Sequence, residues 1–218
     1  QALDRKRNIL AAAGMLEEGR SVEEQFAQID TRIVDLRTGK FSDDMDAGSY
    51  DQRAAAKDPS LSDKLSGAED PAKILRREYY ATVYLAENSD GDIDKIILPV
   101  HGYGLWGQLY GFIALESDAN TVAGLGFYEH KETPGLGGEV DNPRWKGLWP
   151  GKQVYDDGEV AIEVLKGAVD PASARAEYQI DGLAGATLTT RGVSNLVQYW
   201  LGENGFEPFL ENLKTGEA

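Results

Sequence analysis

The chain has 218 residues, with 22 Lys and Arg set against 37 Asp and Glu, a formal net charge of −15. So acidic a molecule lacks the basic face that a nucleic-acid binder needs for phosphates. A hydrophobic content of 41% supports a packed core, and the absence of cysteine removes disulfides, thiolate metal sites and cysteine nucleophiles together.

In chain order, Leu3, Ile9, Leu10 and Leu16 fall on one side of a predicted helix that Gly14 weakens and Gly19 ends. Ser21 with Glu24 has the spacing of a capping box and opens a second short helix through Val22, Phe26 and Ile29. A first strand is predicted at 32–36. Residues 43–70 then carry eight acidic groups and four serines but few large apolar side chains, which reads as a solvated or mobile insertion.

Aromatic and β-branched residues at 78–85 predict a strand, joined through the turn at 88–92 to a hairpin partner at 95–100. Further strands are expected at 109–116, 122–128, 153–155 and 160–165. Leu188, Val193, Leu196, Val197, Trp200 and Leu201 mark one face of an amphipathic helix, and Pro208 suits the first turn of a last helix. The expected class is α+β, a mostly antiparallel sheet with flanking helices.

Three motifs are set aside on physical grounds. The G-x-G-x-x-G at Gly102, Gly104 and Gly107 precedes another strand, whereas a dinucleotide fingerprint must open a helix in a parallel βαβ unit. Asp90, Asp92 and Asp94 resemble the start of a calcium loop, but Lys95 stands where that loop needs glycine. His101 and His130 have no partner at metal-ligand or triad spacing in the sequence.

Two segments carry more. Glu132, Thr133, Pro134, Gly135, Leu136 and Gly137 belong to a glycine-dense loop that lets backbone approach something flat, and Trp145 and Trp149 beyond it could line an apolar slot; a plain structural loop is the alternative. Leu183, Ala184, Gly185, Ala186, Thr187, Leu188 and Thr189 form a small-residue turn leading into the amphipathic helix. Unpaired amides and the positive end of the dipole at such a helix start suit a phosphate, while a threonine serving only as the helix cap is the plainer reading.

These residues, together with Tyr110-Gly111-Phe112, Phe127 to His130 and the stretch from Glu132 to Pro143, resemble the soluble portion of the C-type subunit of the bacterial sodium-translocating NADH:quinone oxidoreductase. They resemble the G-type subunit of the related Rnf complex more distantly. The resemblance implies FMN joined by a phosphoester to Thr187, the last residue of a Ser/Thr-Gly-Ala-Thr motif, and installed by a separate flavin transferase. Ala184 departs from that motif by lacking the first hydroxyl. The resemblance places 132–137 near the flavin and implies an electron carrier between NADH and quinone within a membrane complex that exports sodium.

It further implies a membrane helix upstream of Gln1, a helical segment at 1–30, and an FMN-binding domain at 31–218 facing the periplasm from the bacterial inner membrane. No independent NADH site and no metal site are expected in this chain. The competing readings are a G-type Rnf subunit, a non-redox periplasmic binding or scaffold module, and a hydrolase using Thr187 as nucleophile, for which no adjacent base is evident.

Overall fold

The computed structural model describes residues 1–218. Helix α1 (Ala2–Ala12) stops where Gly14 takes a φ of 69°, with Met15 N–H donating to Leu10 O and Gly14 N–H to Ala11 O. Those two bonds are the Schellman arrangement, so Gly14 closes the helix rather than weakening its interior, and the expected continuation to Leu16 does not form. Helix α2 (Val22–Phe26) is capped by Ser21, whose Oγ accepts from Glu24 N at 3.1 Å; the reciprocal bond of a full capping box is absent.

Strand β1 (Ile29–Asp35) is followed by β2 (Lys40–Phe41), α3 (Gln52–Ala55), β3 (Ser62–Lys64) and β4 (Arg76–Glu78). The long strands come next: β5 (Tyr80–Glu87), β6 (Ile93–Tyr103), β7 (Gln108–Glu116) and β8 (Val122–Glu129). Helix α4 (Pro143–Lys146) leads to the short strands β9 (Tyr155–Asp156), β10 (Glu159–Val160), β11 (Glu163–Val164) and β12 (Gln179–Ile180). Helices α5 (Thr187–Trp200) and α6 (Glu207–Thr215) close the chain. One six-stranded antiparallel sheet, in the order β2-β1-β5-β6-β7-β8, dominates; the class is α+β.

Successive side chains of a strand point to opposite faces, and the two faces here have different covers. Val83, Ile96, Leu98, Ile113 and Leu115 point into the main core, which α5 and α6 fill with Val193, Leu196, Trp200 and Phe209. Tyr84, Ile97, Phe112 and Ala114 point the other way, where α1 covers part of the face with Ile9, Ala12 and Ala13. The backbone of α1 comes so close that a Cβ on Gly124 would collide with Ala12 O.

Two expectations are corrected. Residues 43–70 are largely exposed, as expected, but they are not a free loop: Tyr50 donates its hydroxyl to Tyr80 O at 2.8 Å, Gln52 accepts from Thr82 N at 2.9 Å, and Ser62 is buried. Specific side-chain bonds to the sheet hold the segment in place of a large apolar surface, and composition does not register them. The strands expected at 153–155 and 160–165 shrink to two-residue pieces outside the main sheet, with β9 pairing β10 and β11 running parallel to β12. The bridge from Thr121 to Gln153, with backbone bonds between Val122 and both Lys152 O and Gly151 N and with Asn120 accepting from Val154 N and Tyr155 N, ties this region to the start of β8.

Candidate functional site

The start of α5 is the chemical focus. Its N-cap is Ala186, which has no side chain able to cap, and the amides of Thr187, Leu188 and Thr189 have no acceptor within the protein. A helix start normally satisfies some of these donors with a side-chain oxygen. Three threonines stand within reach of that task and none performs it. Thr190 Oγ1 accepts from Leu183 N at 2.9 Å, which folds the preceding turn onto the helix. Thr189 Oγ1 donates to Glu132 Oε1 at 2.7 Å. Thr187 is exposed and its hydroxyl makes no bond to the protein, so it is the free alcohol beside the free amides.

The turn leading in is bare by construction. Ala184 and Gly185 are exposed and Ala186 is half-buried; Gly185 has a φ of 71°, a conformation that costs glycine least. Leu183 is buried and anchors the turn in the core.

The glycine-dense loop meets this turn. Leu136 N–H donates to Thr133 O at 3.0 Å around Pro134 and Gly135, and Gly135 has a φ of 81°. Proline then glycine at the two central positions is the pattern of a type II turn. Its tip, Leu136, is 45% exposed and lies over Gly185, so that a Cβ there would meet Leu136 Cδ2 at 3.2 Å. Gly137 faces Thr189 so closely that a side chain would collide with Thr189 Oγ1.

Glu132 is the clasp between these pieces. It is 5% exposed and its carboxylate accepts from Leu105 N at 2.7 Å, Trp106 N at 3.0 Å and the Thr189 hydroxyl. One side chain therefore joins the β6–β7 hairpin, the glycine-dense loop and the first turn of α5. With every bond directed inward, Glu132 is a holding residue rather than a free acid or base. Its own N–H donates to His130 Nδ1 at 3.1 Å, which leaves the proton on Nε2 to face Asp141 at 2.8 Å. His130 thus has a carboxylate partner that sequence spacing did not reveal, in a role of orientation.

Trp145 lies beneath the site. It is 7% exposed, packs edge-on against Trp149 at 5.6 Å, and donates Nε1–H to Asp181 O at 2.9 Å. The two tryptophans fill core volume and brace the turn at Asp181; they do not form an open slot. The hairpin carrying the G-x-G-x-x-G supplies surface that the sequence reading missed. Its glycines are packing positions, Gly102 against Leu196 and Gly104 against Glu132, while Leu105 and Trp106 stand 38% and 61% exposed. An exposed tryptophan in a glycine-rich hairpin was the available signal.

Free first-turn amides, a free hydroxyl, a bare turn and exposed apolar groups at Leu105, Trp106, Leu136 and Leu188 fit a phosphate ester with a flat apolar body. Comparison with known proteins gives the family. The FMN-binding domain family matches residues 104–202, which contain this whole site. The C-type subunit of the Na(+)-translocating NADH-quinone reductase of Pseudomonas aeruginosa is 60% identical over 221 residues, covering 99% of this chain and 84% of that one. The same subunit of Vibrio vulnificus is 50% identical over 216 residues, covering 98% and 83%. The crystal structure of Shewanella oneidensis NqrC superposes with a TM-score of 0.88 at 36% identity, covering 97% of each chain.

Fold and site together define a flavin-mononucleotide-binding domain of the α+β type. The chain belongs to the NqrC family, the C-type subunits of the Na(+)-translocating NADH-quinone reductase, an oxidoreductase complex, and the G-type Rnf alternative gives way to it.

Proposed function

We propose that this chain is an electron-carrying subunit that holds FMN as a phosphoester on the Thr187 hydroxyl. The single observation that supports it most is the first turn of α5, where three amides and one hydroxyl have no protein partner while the neighbouring threonines are committed elsewhere. When bound, the flavin supplies reversible electron transfer that no side chain of this protein offers.

The chain's own residues bind and position. The amides of Thr187, Leu188 and Thr189, at the positive end of the helix dipole, would hold the phosphodiester monoanion. Ala184, Gly185 and Ala186 keep side chains out of its approach, and because Ala184 has no hydroxyl the contacts from that turn fall to backbone. Leu188, Leu136, Leu105 and Trp106 are exposed apolar side chains on the three segments that Glu132 joins. Glu132 fixes the spacing of the three segments, with Thr133, Pro134, Gly135 and Gly137 shaping the loop it starts from. An ester in place of a dissociable complex keeps the carrier attached on an open site.

On this reading a flavin transferase loads Thr187, and the other subunits bring electrons from NADH and pass them toward quinone while membrane subunits move sodium. No helix of this structure is long and apolar enough to cross a membrane. The membrane attachment we propose lies upstream of Gln1, with 1–30 as a helical connection and 31–218 as the FMN-binding domain on the periplasmic side.

The test is intact mass of protein produced with the transferase. The wild type should gain one FMN less one water and stay fluorescent on a denaturing gel; Thr187→Ala should gain nothing and keep its fold. Unmodified wild type under those conditions would favour a non-redox binding or scaffold module instead.

A further inference from the structure

The sheet face turned away from α5 is only partly covered by α1, and the remainder is roofed by the segment at 50–57, leaving a cavity of about 410 Å³. Protein interiors are normally packed without voids larger than a water molecule, and a cavity of this size is in the range that holds small molecules. The floor is aromatic. His101 stacks on Tyr110 with centroids 5.4 Å apart and planes 13° apart, Phe112 lies 5.4 Å from Tyr128, and Tyr84 meets Phe112 edge-on at 5.9 Å.

Polar groups in this wall are unspent. Glu78 is 1% exposed and its Oε1 has no hydrogen-bond partner. Gln108 gives its Nε2–H to Lys73 O at 2.8 Å, but its buried Oε1 has none, and the His101 imidazole bonds to no protein group. Burial also holds the His101 imidazole down, at about 4, so the ring is neutral at pH 7.

Charge at the rim is opposite to that of the molecule. Arg5, Arg53, Lys57 and Arg76 line the cavity against Asp51, with the buried Glu78 carboxyl held protonated by desolvation, in a chain of net charge −15. Arg53 is committed, lying 3.6 Å over the Tyr110 ring and forked onto Glu129 at 2.8 and 3.2 Å, and Arg76 gives hydrogen bonds to Ser62. Arg5 and Lys57 have no acceptor within the protein, and both are exposed. Flat aromatic walls, unpaired buried acceptors and two unpaired cations at the mouth specify complementary features in one ligand.

We propose that this cavity is a second binding site, separate from Thr187, for a planar one- or two-ring aromatic anion carrying a hydroxyl group. The ring lies against Tyr110, Phe112 and Tyr128, the carboxylate meets Arg5 and Lys57, and the hydroxyl donates to the buried acceptors of Glu78 or Gln108.

The probe is 6-hydroxy-2-naphthoate, titrated calorimetrically into the full chain and mapped by amide chemical shifts. The expected result is saturable one-to-one binding with a Kd of about 100 μM or tighter, given its number of heavy atoms. The methyl ester and decalin-2-carboxylate should each bind at least about tenfold more weakly, one lacking the charge and the other the flat ring. Lys57→Glu, on an exposed side chain, should weaken the probe about tenfold, and Ala56→Trp should fill the cavity and abolish binding. Shifts should cluster at Tyr84, Tyr110, Phe112 and Tyr128. Absence of saturable binding, equal binding of all three compounds, indifference to both variants, or shifts centred on 132–137 and 183–189 would each overturn the proposal.

Discussion

Glu132 shows at the residue scale how one side chain can organise a site without reacting in it. Its carboxylate takes two backbone amides and one hydroxyl in a 5% exposed setting, so truncation strands three donors at once. Leaving buried donors unmade costs about 1–3 kcal/mol each, with partial relief from water entry. Glu132→Ala should therefore lower unfolding stability by about 3 kcal/mol in urea titrations and reduce flavin loading of Thr187. Glu132→Gln keeps one accepting oxygen and should lose about half as much. The sequence placed Glu132 near the cofactor through family resemblance, yet nothing in its spacing to Leu105 or Thr189 disclosed the clasp, because those contacts span 27 and 57 residues. The choice among Thr187, Thr189 and Thr190 was likewise open on composition; the hydrogen bonds of the latter two separate them.

At the scale of elements, close backbone contact explains what residue patterns left out. The strands at 109–116 and 122–128 and the amphipathic helix were legible because apolar alternation and helical spacing record burial directly. The insertion at 43–70 was not, since its anchors are individual polar bonds from Tyr50, Gln52 and Asp70, the last accepting from Ile74 N and Leu75 N at 2.8 Å each. The seat of α1 was also hidden, because it depends on the missing side chain of Gly124. Gly124→Val should push α1 off the sheet. Amide exchange at Ile9 to Ala13 should then approach the unprotected rate while α5 keeps its protection, with a stability loss of about 3 kcal/mol from the uncovered apolar groups.

For the whole molecule, Glu78 and His101 have opposed shifts and push the pH response in opposite directions. Burial raises the Glu78 carboxyl to about 8, with its own backbone amide and then the nearby Arg77 acting against it; Tyr50 and Tyr199 also face it. Burial, assisted by Arg53, lowers His101 to about 4. Between pH 4 and 6.5 the unfolded imidazole binds a proton that the folded one refuses, so this group makes stability rise with pH. From about 4.5 to 8 the folded Glu78 holds a proton that the unfolded chain has released, so this group makes stability fall with pH. The two oppose each other up to pH 6.5, and above it Glu78 acts alone. Thermal or urea unfolding should show a loss on the order of 2 kcal/mol between about pH 6.5 and 8, and Glu78→Gln should flatten that interval.

The attachment we propose is the exposed alcohol at the head of α5, and digestion of fully loaded protein with sequencing of the flavin-bearing peptide by mass spectrometry tests it most directly. The predicted result is one peptide spanning the turn at Gly185, with the nucleotide on Thr187 and unmodified Thr189 and Thr190. An adduct on either of those neighbours, on another segment, or on no peptide at all would contradict it.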